Sequence, residues 1–238
     1  MHDFEKNGFL LLKSVVDEPQ IGELIESINS LVSSSAPGVR HLLRRCRTVR
    51  KLARSATILN IASKLLGRPA KPVKAIFFDK TPAANWFVTW HQDLTIAVKQ
   101  RVDLPDFGPW STKDGFDHVQ PPANILENML SIRIHLDDCP EENGAIRFFP
   151  GTHLIGKLSS KEISSWRDSH DSVSCPASAG DAIVMRPLIL HSSPKATHPE
   201  HRRILHIEFA GTDLPGGLEW SEASGLDSVE LVGIEEGA

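Results

Sequence analysis

Between Asp17 and Leu31 the apolar residues Ile21, Leu24, Ile25, Ile28 and Leu31 recur at the spacing of one helix face, so the pattern predicts an amphipathic helix. Asp17 can cap its start, with Pro19 in the first turn. Ser33, Ser34, Ser35, Pro37 and Gly38 then predict a loop, and a second helical region runs from Arg40 to Gly67, where Gly67 and Pro69 supply a stop signal. After Pro72 the period changes. Val73 to Phe78 and Trp86 to Val98 are rich in β-branched and aromatic residues, flank the turn-like Thr81-Pro82-Ala83-Ala84-Asn85, and predict strands. Lys99 to Pro122, rich in Pro, Gly and Asp, predicts a long irregular loop of the kind that is functional or mobile and that shapes specificity. Further strands are expected at Met129 to Leu136, Ala145 to Phe149, Ala182 to His191 and Ile204 to Phe209, with a short helix around Ser160 to Ser169.

Helices first and many short strands afterward predict a mainly β fold with flanking helices, a helix-buttressed double-sheet jelly roll, rather than a nucleotide-binding sheet. At 238 residues and 40% hydrophobic, the chain can bury one sizeable core. The expected organisation is a single domain over 1–238, with a helical part to about 70, a β core from about 73 to 210 and a tail from 211 to 238.

Charge and cysteine content remove several function classes. A formal net charge of -4 provides no general attraction to nucleic acid or anionic membranes. The segment Arg40 to Arg54 is locally basic, but its arginines interleave with Leu42, Leu43, Val49 and Leu52, as on the solvated face of a packed helix, and it lacks aromatic residues for base stacking. Nucleic acid is therefore a disfavoured partner. Cys46, Cys139 and Cys175 are far apart with no CxxC, which argues against a disulfide framework or a thiolate zinc site and for a reducing, cytoplasmic setting. Met1 to Leu12 lacks the basic-then-apolar order of a secretory signal, and no segment approaches the roughly 18 to 20 apolar residues needed to span a bilayer.

The chemistry is concentrated in a few positions. His91 and Asp93 lie two apart in Thr89-Trp90-His91-Gln92-Asp93, so strand alternation turns both side chains to one face. His191 ends the apolar run from Ala182 and can supply a third ligand. Two imidazoles and one carboxylate occupy one face of an octahedron and leave positions for a chelating co-substrate and dioxygen, the arrangement suited to non-haem iron(II). Downstream, Arg202 and Arg203 enter an apolar strand, and a guanidinium fork there matches the far carboxylate of 2-oxoglutarate. Alternation sends only one of the pair inward; Arg202 is the first choice and Arg203 the substitute. His118, His153, His198, His201 and His206 are expected to be satisfied polar or surface residues rather than ligands. Trp86, Trp90, Trp110 and Phe116 are candidates for an apolar wall or lid, with Trp110 the favoured lid residue.

The chain resembles the phytanoyl-CoA dioxygenase-like family of iron(II)/2-oxoglutarate oxygenases, which fold as a double-stranded β-helix. The resemblance rests on Trp90-His91-Gln92-Asp93, on Asn143-Gly144-Ala145 leading to Pro150-Gly151-Thr152-His153, and on His191-Ser192-Ser193 followed by Arg202. It implies His91, Asp93 and His191 as metal ligands, Arg202 as the 2-oxoglutarate anchor, and iron(II), 2-oxoglutarate and dioxygen as cofactor and co-substrates. Two departures stand out: Thr152 replaces the usual serine of the Pro-Gly-Ser-His turn, and Ile204 stands where many relatives have a hydroxyl residue. In Ser131-Ile132-Arg133-Ile134-His135, alternation puts Ser131, Arg133 and His135 on one face. That face either lines the pocket, with Ser131 and Arg133 beside 2-oxoglutarate as in similar enzymes, or lies outward with Arg133 paired to Asp137 or Asp138. Relatives that halogenate replace the metal-binding carboxylate with a small residue, so Asp93 implies hydroxylation or a similar oxidation of a small organic substrate with release of succinate and CO2. The alternative function is a non-catalytic jelly-roll protein that senses 2-oxoglutarate or a metabolite.

Overall fold

The computed structural model describes residues 2–31, 38–198 and 201–223. The chain opens with α1 (His2–Asn7) and β1 (Phe9–Leu12), then α2 (Glu18–Asn29). As the pattern predicts, Asp17 caps α2: its carboxylate accepts the Gln20 amide at 2.9 Å while the Gln20 side chain accepts the Asp17 amide at 3.1 Å. The predicted loop falls on 32–37, outside the described residues, apart from Gly38. Gly38 begins β2 (Gly38–Val39).

The single helical region expected from Arg40 to Gly67 is three short helices, α3 (Leu42–Arg45), α4 (Arg47–Ala53) and α5 (Ala56–Leu66). Extended Cys46 separates the first two, Ser55 caps the third, and Gly67 ends it in a left-handed conformation. Leu42, Leu43, Val49 and Leu52 are buried, while Arg44, Arg45, Arg47, Lys51 and Arg54 face solvent.

The strands follow as β3 (Lys71–Lys80), β4 (Val88–His91), β5 (Ile96–Val98), β6 (Trp110–Lys113) and β7 (Phe116–Val119). After α6 (Ala123–Glu127) come β8 (Met129–His135) and β9 (Ile146–Phe149). Then come α7 (Ser160–Ser169), β10 (Val173–Cys175), β11 (Ala182–Met185), β12 (Leu190–Ser193) and β13 (Arg202–Ala210). A six-stranded sheet has the order β1-β11-β8-β13-β3-β2, a four-stranded sheet the order β10-β9-β12-β4, and a third β5-β7-β6; all pairings are antiparallel. The two larger sheets form the jelly roll.

Alternation in the six-stranded sheet divides the core. Leu130, Ile132, Ile134, Ala75, Phe77, Leu205 and Ile207 pack with Leu24, Ile28, Leu43, Val49 and Ile58 of the helices. The intervening residues of β3, β8 and β13 face the four-stranded sheet. Between the sheets, Ile183 and Met185 pack with Ile146 and Phe148, leaving the end near β4 and β12 open for polar side chains.

Two expectations need correction. The run from Ala182 to His191 is two strands in different sheets, separated by a turn at Arg186 and Pro187; proline cannot donate to a ladder, and both halves are apolar because each is buried in its own sheet. The stretch 99–122 is not an irregular loop throughout, since it contains the β6–β7 hairpin. Its turn is Asp114-Gly115, with φ of 50° and 79°, the two positive values that a two-residue hairpin turn requires.

One buried carboxylate ties the segment after β1 to the start of β11. Asp181 accepts from Lys13 at 2.8 Å and from the amides of Ser14 and Ser178 at 3.0 and 2.9 Å. Burial works against its charge, but Lys13 and the two amides outweigh it and lower the pKa. A depressed folded pKa means that this stabilisation is complete above the unfolded value of about 4 and is lost as pH falls through the folded one. Asp181→Asn is expected to cost about 2 kcal/mol at neutral pH and to flatten the acid limb of stability against pH, measured by urea unfolding from pH 2 to 7.

Candidate metal centre

The β12–β4 ladder sets His191 directly opposite His91, and the imidazole centroids are 4.2 Å apart. Asp93 follows two residues after His91, just beyond the strand end, where its amide donates to Pro187 O at 2.9 Å. Asp93 Oδ1 lies 3.6 Å from His91 Nε2, and Oδ2 lies 3.8 Å from His191 Nε2. The three ligand-type atoms fall within 4.8 Å of one another, and among the described residues this is the one such group that could hold a metal ion.

Backbone carbonyls select the tautomers. His91 Nδ1 donates to Thr89 O at 2.8 Å and His191 Nδ1 to Ile189 O at 2.9 Å, which leaves both Nε2 lone pairs directed toward Asp93. Burial pushes His191 down to about 3 and keeps it neutral. Burial also opposes the charge on Asp93, yet His191 and His91 outweigh it and hold the carboxyl well below its usual range. For His91, burial is outweighed by the neighbouring Asp93 carboxylate and the Thr89 carbonyl, and the pKa rises.

The segment between the ligands is braced. Gln92 Nε2 donates to Gly156 O and Leu188 O at 2.8 and 2.6 Å, and its Oε1 accepts the Leu158 amide at 2.7 Å. Thr152 Oγ1 donates to Phe149 O and accepts the Leu190 amide, both at 2.8 Å, fixing β12 one residue before His191. A hydroxyl is what this position uses, so threonine serves.

The triad lines a cavity of about 280 Å³ between the two larger sheets. The β13 register settles which arginine enters it. Arg202 is buried, and its Nη1 donates to Ser193 Oγ at 2.9 Å and to Gly144 O, while its Nε has no partner. Gly144, at φ 74°, lies so close that a Cβ would meet Pro194 O at 2.6 Å and Arg202 Nη1 at 3.3 Å. Arg203 points the other way and makes a forked pair with Asp137, at 2.9 Å from Nε and 2.6 Å from Nη2. Arg203→Met should therefore cost about 1 kcal/mol of stability in a denaturant titration and leave 2-oxoglutarate affinity unchanged.

Arg133 lines the cavity, with Nη1 donating to His206 Nδ1 at 3.2 Å and Nε unpartnered. It is not paired to Asp137 or Asp138, the first of which is taken by Arg203 and the second by the Ala179 amide. Ser131 shares its face but not its position. It sits across from Glu208 and Met185, is 1% exposed, and is absent from the described residues lining the cavity. Of the two residues of this strand expected beside 2-oxoglutarate, Arg133 is the one on the cavity lining.

Other residues here were not expected. Lys80, opposite Arg202 in the β13–β3 ladder, donates to Ser193 Oγ and Pro194 O at 3.2 Å. Burial and the Arg202 charge push it down to about 7. Lys74 and Glu208 form a buried pair at 2.7 Å, and His206 and His118, of the expected polar-or-surface histidines, are hydrogen-bonded residues of the cavity lining. Their signal was charge and histidine at inward positions of apolar strands. Of the aromatic candidates, Trp86 lines the cavity. Trp90 packs on Phe149, and Phe116 stacks on His41. Trp110, the favoured lid residue, packs against the core around β5 and β7.

Comparison with known proteins agrees with this geometry. A family model described as phytanoyl-CoA dioxygenase (PhyH) matches residues 4–204. An L-proline trans-4-hydroxylase from Streptomyces griseoviridis is 24% identical over 246 aligned positions, covering 87% of this chain and 83% of that protein. The structure is similar to the non-haem α-ketoglutarate-dependent carbocyclase SnoK of nogalamycin biosynthesis, with a TM-score of 0.70, 16% identity and coverage of 94% and 86% of the two chains. It is also similar to HygX of Streptomyces hygroscopicus with nickel and 2-oxoglutarate bound, with a TM-score of 0.64, 15% identity and coverage of 89% and 85%.

Proposed function

This chain belongs to the phytanoyl-CoA dioxygenase family, and from that premise we propose that His91, Asp93 and His191 hold iron(II), that Arg202 anchors 2-oxoglutarate, and that the enzyme hydroxylates a small organic molecule. The observation that carries the reading is the convergence of two Nε2 lone pairs and one carboxylate at the wall of a cavity that also contains Arg202. The donor set fits a divalent ion of the iron type. The Nδ1 hydrogen bonds of both imidazoles turn Nε2 toward the site, Asp93 is ionised, and the three side chains come from one side, leaving the cavity side for exchangeable ligands.

When bound, iron(II) with 2-oxoglutarate and dioxygen supplies the oxidising chemistry, with succinate and CO2 as the co-products. The chain's own residues do the rest. Arg202 presents a guanidinium whose unpartnered Nε and buried setting suit the far carboxylate of 2-oxoglutarate, and Ser193 and Lys80 stand beside it where Ile204 offers no hydroxyl. Asp93 keeps a carboxylate at the position that must be vacated for a halide. Ile76, Phe78 and Trp86 form an apolar wall that limits water near the metal-binding atoms. Similarity to a proline hydroxylase is in keeping with hydroxylation of a molecule of that size.

The reading is tested by incubating the purified protein with iron(II), ascorbate and 2-oxoglutarate in the presence of small-molecule extract and assaying succinate. The expected result is iron-dependent succinate release. Binding of 2-oxoglutarate with no succinate in any fraction would favour the sensor alternative.

A further inference from the structure

The cavity wall is strongly cationic. Arg40, Lys74, Lys113, Arg133 and Arg202 line it, against the carboxylates of Asp93 and Glu208. Two of the cations have acid partners: Lys74 is paired with Glu208 at 2.7 Å, and Arg40 with Asp114 of the β6–β7 turn at 2.9 Å. Among the described residues no carboxylate lies within ion-pair distance of Lys113, Arg133 or Arg202. Resting on the reading above, 2-oxoglutarate neutralises part of this excess. Its chelating carboxylate offsets the charge left by iron(II) and Asp93, and its far carboxylate offsets Arg202. Arg133, inside the cavity, and Lys113, exposed at its edge, remain, so the entrance and wall keep a positive field that favours anions.

Lys113 reaches the cavity lining from the β6–β7 hairpin rather than from either large sheet. It is the last residue of β6, beside the Asp114-Gly115 turn, on a hairpin that belongs to neither large sheet and whose other strand brings His118 to the same cavity. Arg40 holds the tip through Asp114, while Phe116 of the same hairpin stacks on His41 with centroids 3.7 Å apart. Lys113 is exposed at the cavity's edge; partial burial and the nearby Lys74 and Arg40 charges lower its pKa, against the opposing pull of Glu208 and Asp93. Beside 2-oxoglutarate, the cavity of about 280 Å³ has room for a small molecule, and through Arg40, Ile76, Phe78 and Trp86 it adjoins a wider cleft of about 1050 Å³.

We propose that the substrate is a small carboxylic acid whose carboxylate is received by Lys113 of the β6–β7 hairpin, at the edge of the cavity that Arg202 also lines. Lys113 is thus a specificity-determining residue, and the hairpin is the part of the fold that reads substrate charge.

The test uses the iron-loaded full-length protein and a panel of small acids, each matched with its primary amide, L-proline and L-prolinamide among them, with succinate release as the readout. The wild type is expected to be stimulated by at least one acid with kcat/KM at least about tenfold above its amide. In Lys113→Met the ratio should fall to near one, and in the control Lys51→Met, on the solvated face of α4, it should persist. Amides that stimulate as well as their acids, a panel in which no acid stimulates, or an unchanged ratio in Lys113→Met would each overturn the proposal. Absence of iron-dependent 2-oxoglutarate binding by the wild type would instead remove the oxygenase reading beneath it.

Discussion

Replacing Asp93 with alanine is expected to reduce iron-dependent succinate release by more than about 100-fold, because removing a ligand should exceed the 10- to 100-fold loss typical of removing only an outer partner. Asp93 is the single anionic donor of the triad, and it lies between the two Nε2 atoms, 3.6 and 3.8 Å from them. Without it the site keeps two neutral imidazoles beside the Arg133 and Arg202 charges, a poor setting for a dication. Asp93→Asn, which preserves shape, should show a similar loss, and the comparison separates charge from packing. The check is succinate formation measured with metal content, and near-wild-type turnover in Asp93→Ala would refute the assignment.

Arg202→Leu is expected to raise the KM for 2-oxoglutarate by at least about 30-fold, since removing one partner of a buried, hydrogen-bonded charge pair costs about 2 to 5 kcal/mol. Lysine should restore only part of the affinity, because its ammonium cannot reproduce a fork already engaged with Ser193 Oγ and Gly144 O. Steady-state kinetics over a range of 2-oxoglutarate concentrations, set beside unfolding curves, separates anchoring from stability. Arg203→Met serves as the matched control, because its partner Asp137 lies away from the cavity.

Much of this site was legible because strand alternation is a strong constraint. Ser131-Ile132-Arg133-Ile134-His135 alternates so that the isoleucines pack on helices, and the arginine must face the other way. The His91-x-Asp93 spacing brought both side chains to one site although Asp93 lies just past the end of β4, and the helices over 18–29 and 160–169 follow from caps and periodicity. What was not legible depends on pairing between distant segments. Arg202 and Arg203 differ only by register, which the Lys80 and Asp79 partners on β3 determine. The split of 182–193 into β11 and β12 is hidden because both halves are apolar, each buried in a different sheet. The β6–β7 hairpin escaped because Trp110-Ser111-Thr112-Lys113 has little hydrophobic alternation, although Asp114-Gly115 was a turn signal of the right kind. Ser131 shows the limit of face-sharing: alternation gives the side, but not how near to the cavity a short side chain comes.

The most direct test is an anaerobic titration of 2-oxoglutarate into the protein with and without one equivalent of iron(II). If His91, Asp93 and His191 hold the ion beside the Arg202 anchor, one 2-oxoglutarate binds per chain, at least about tenfold more tightly with iron than without. Equal affinity in the two titrations would contradict a shared metal and co-substrate site.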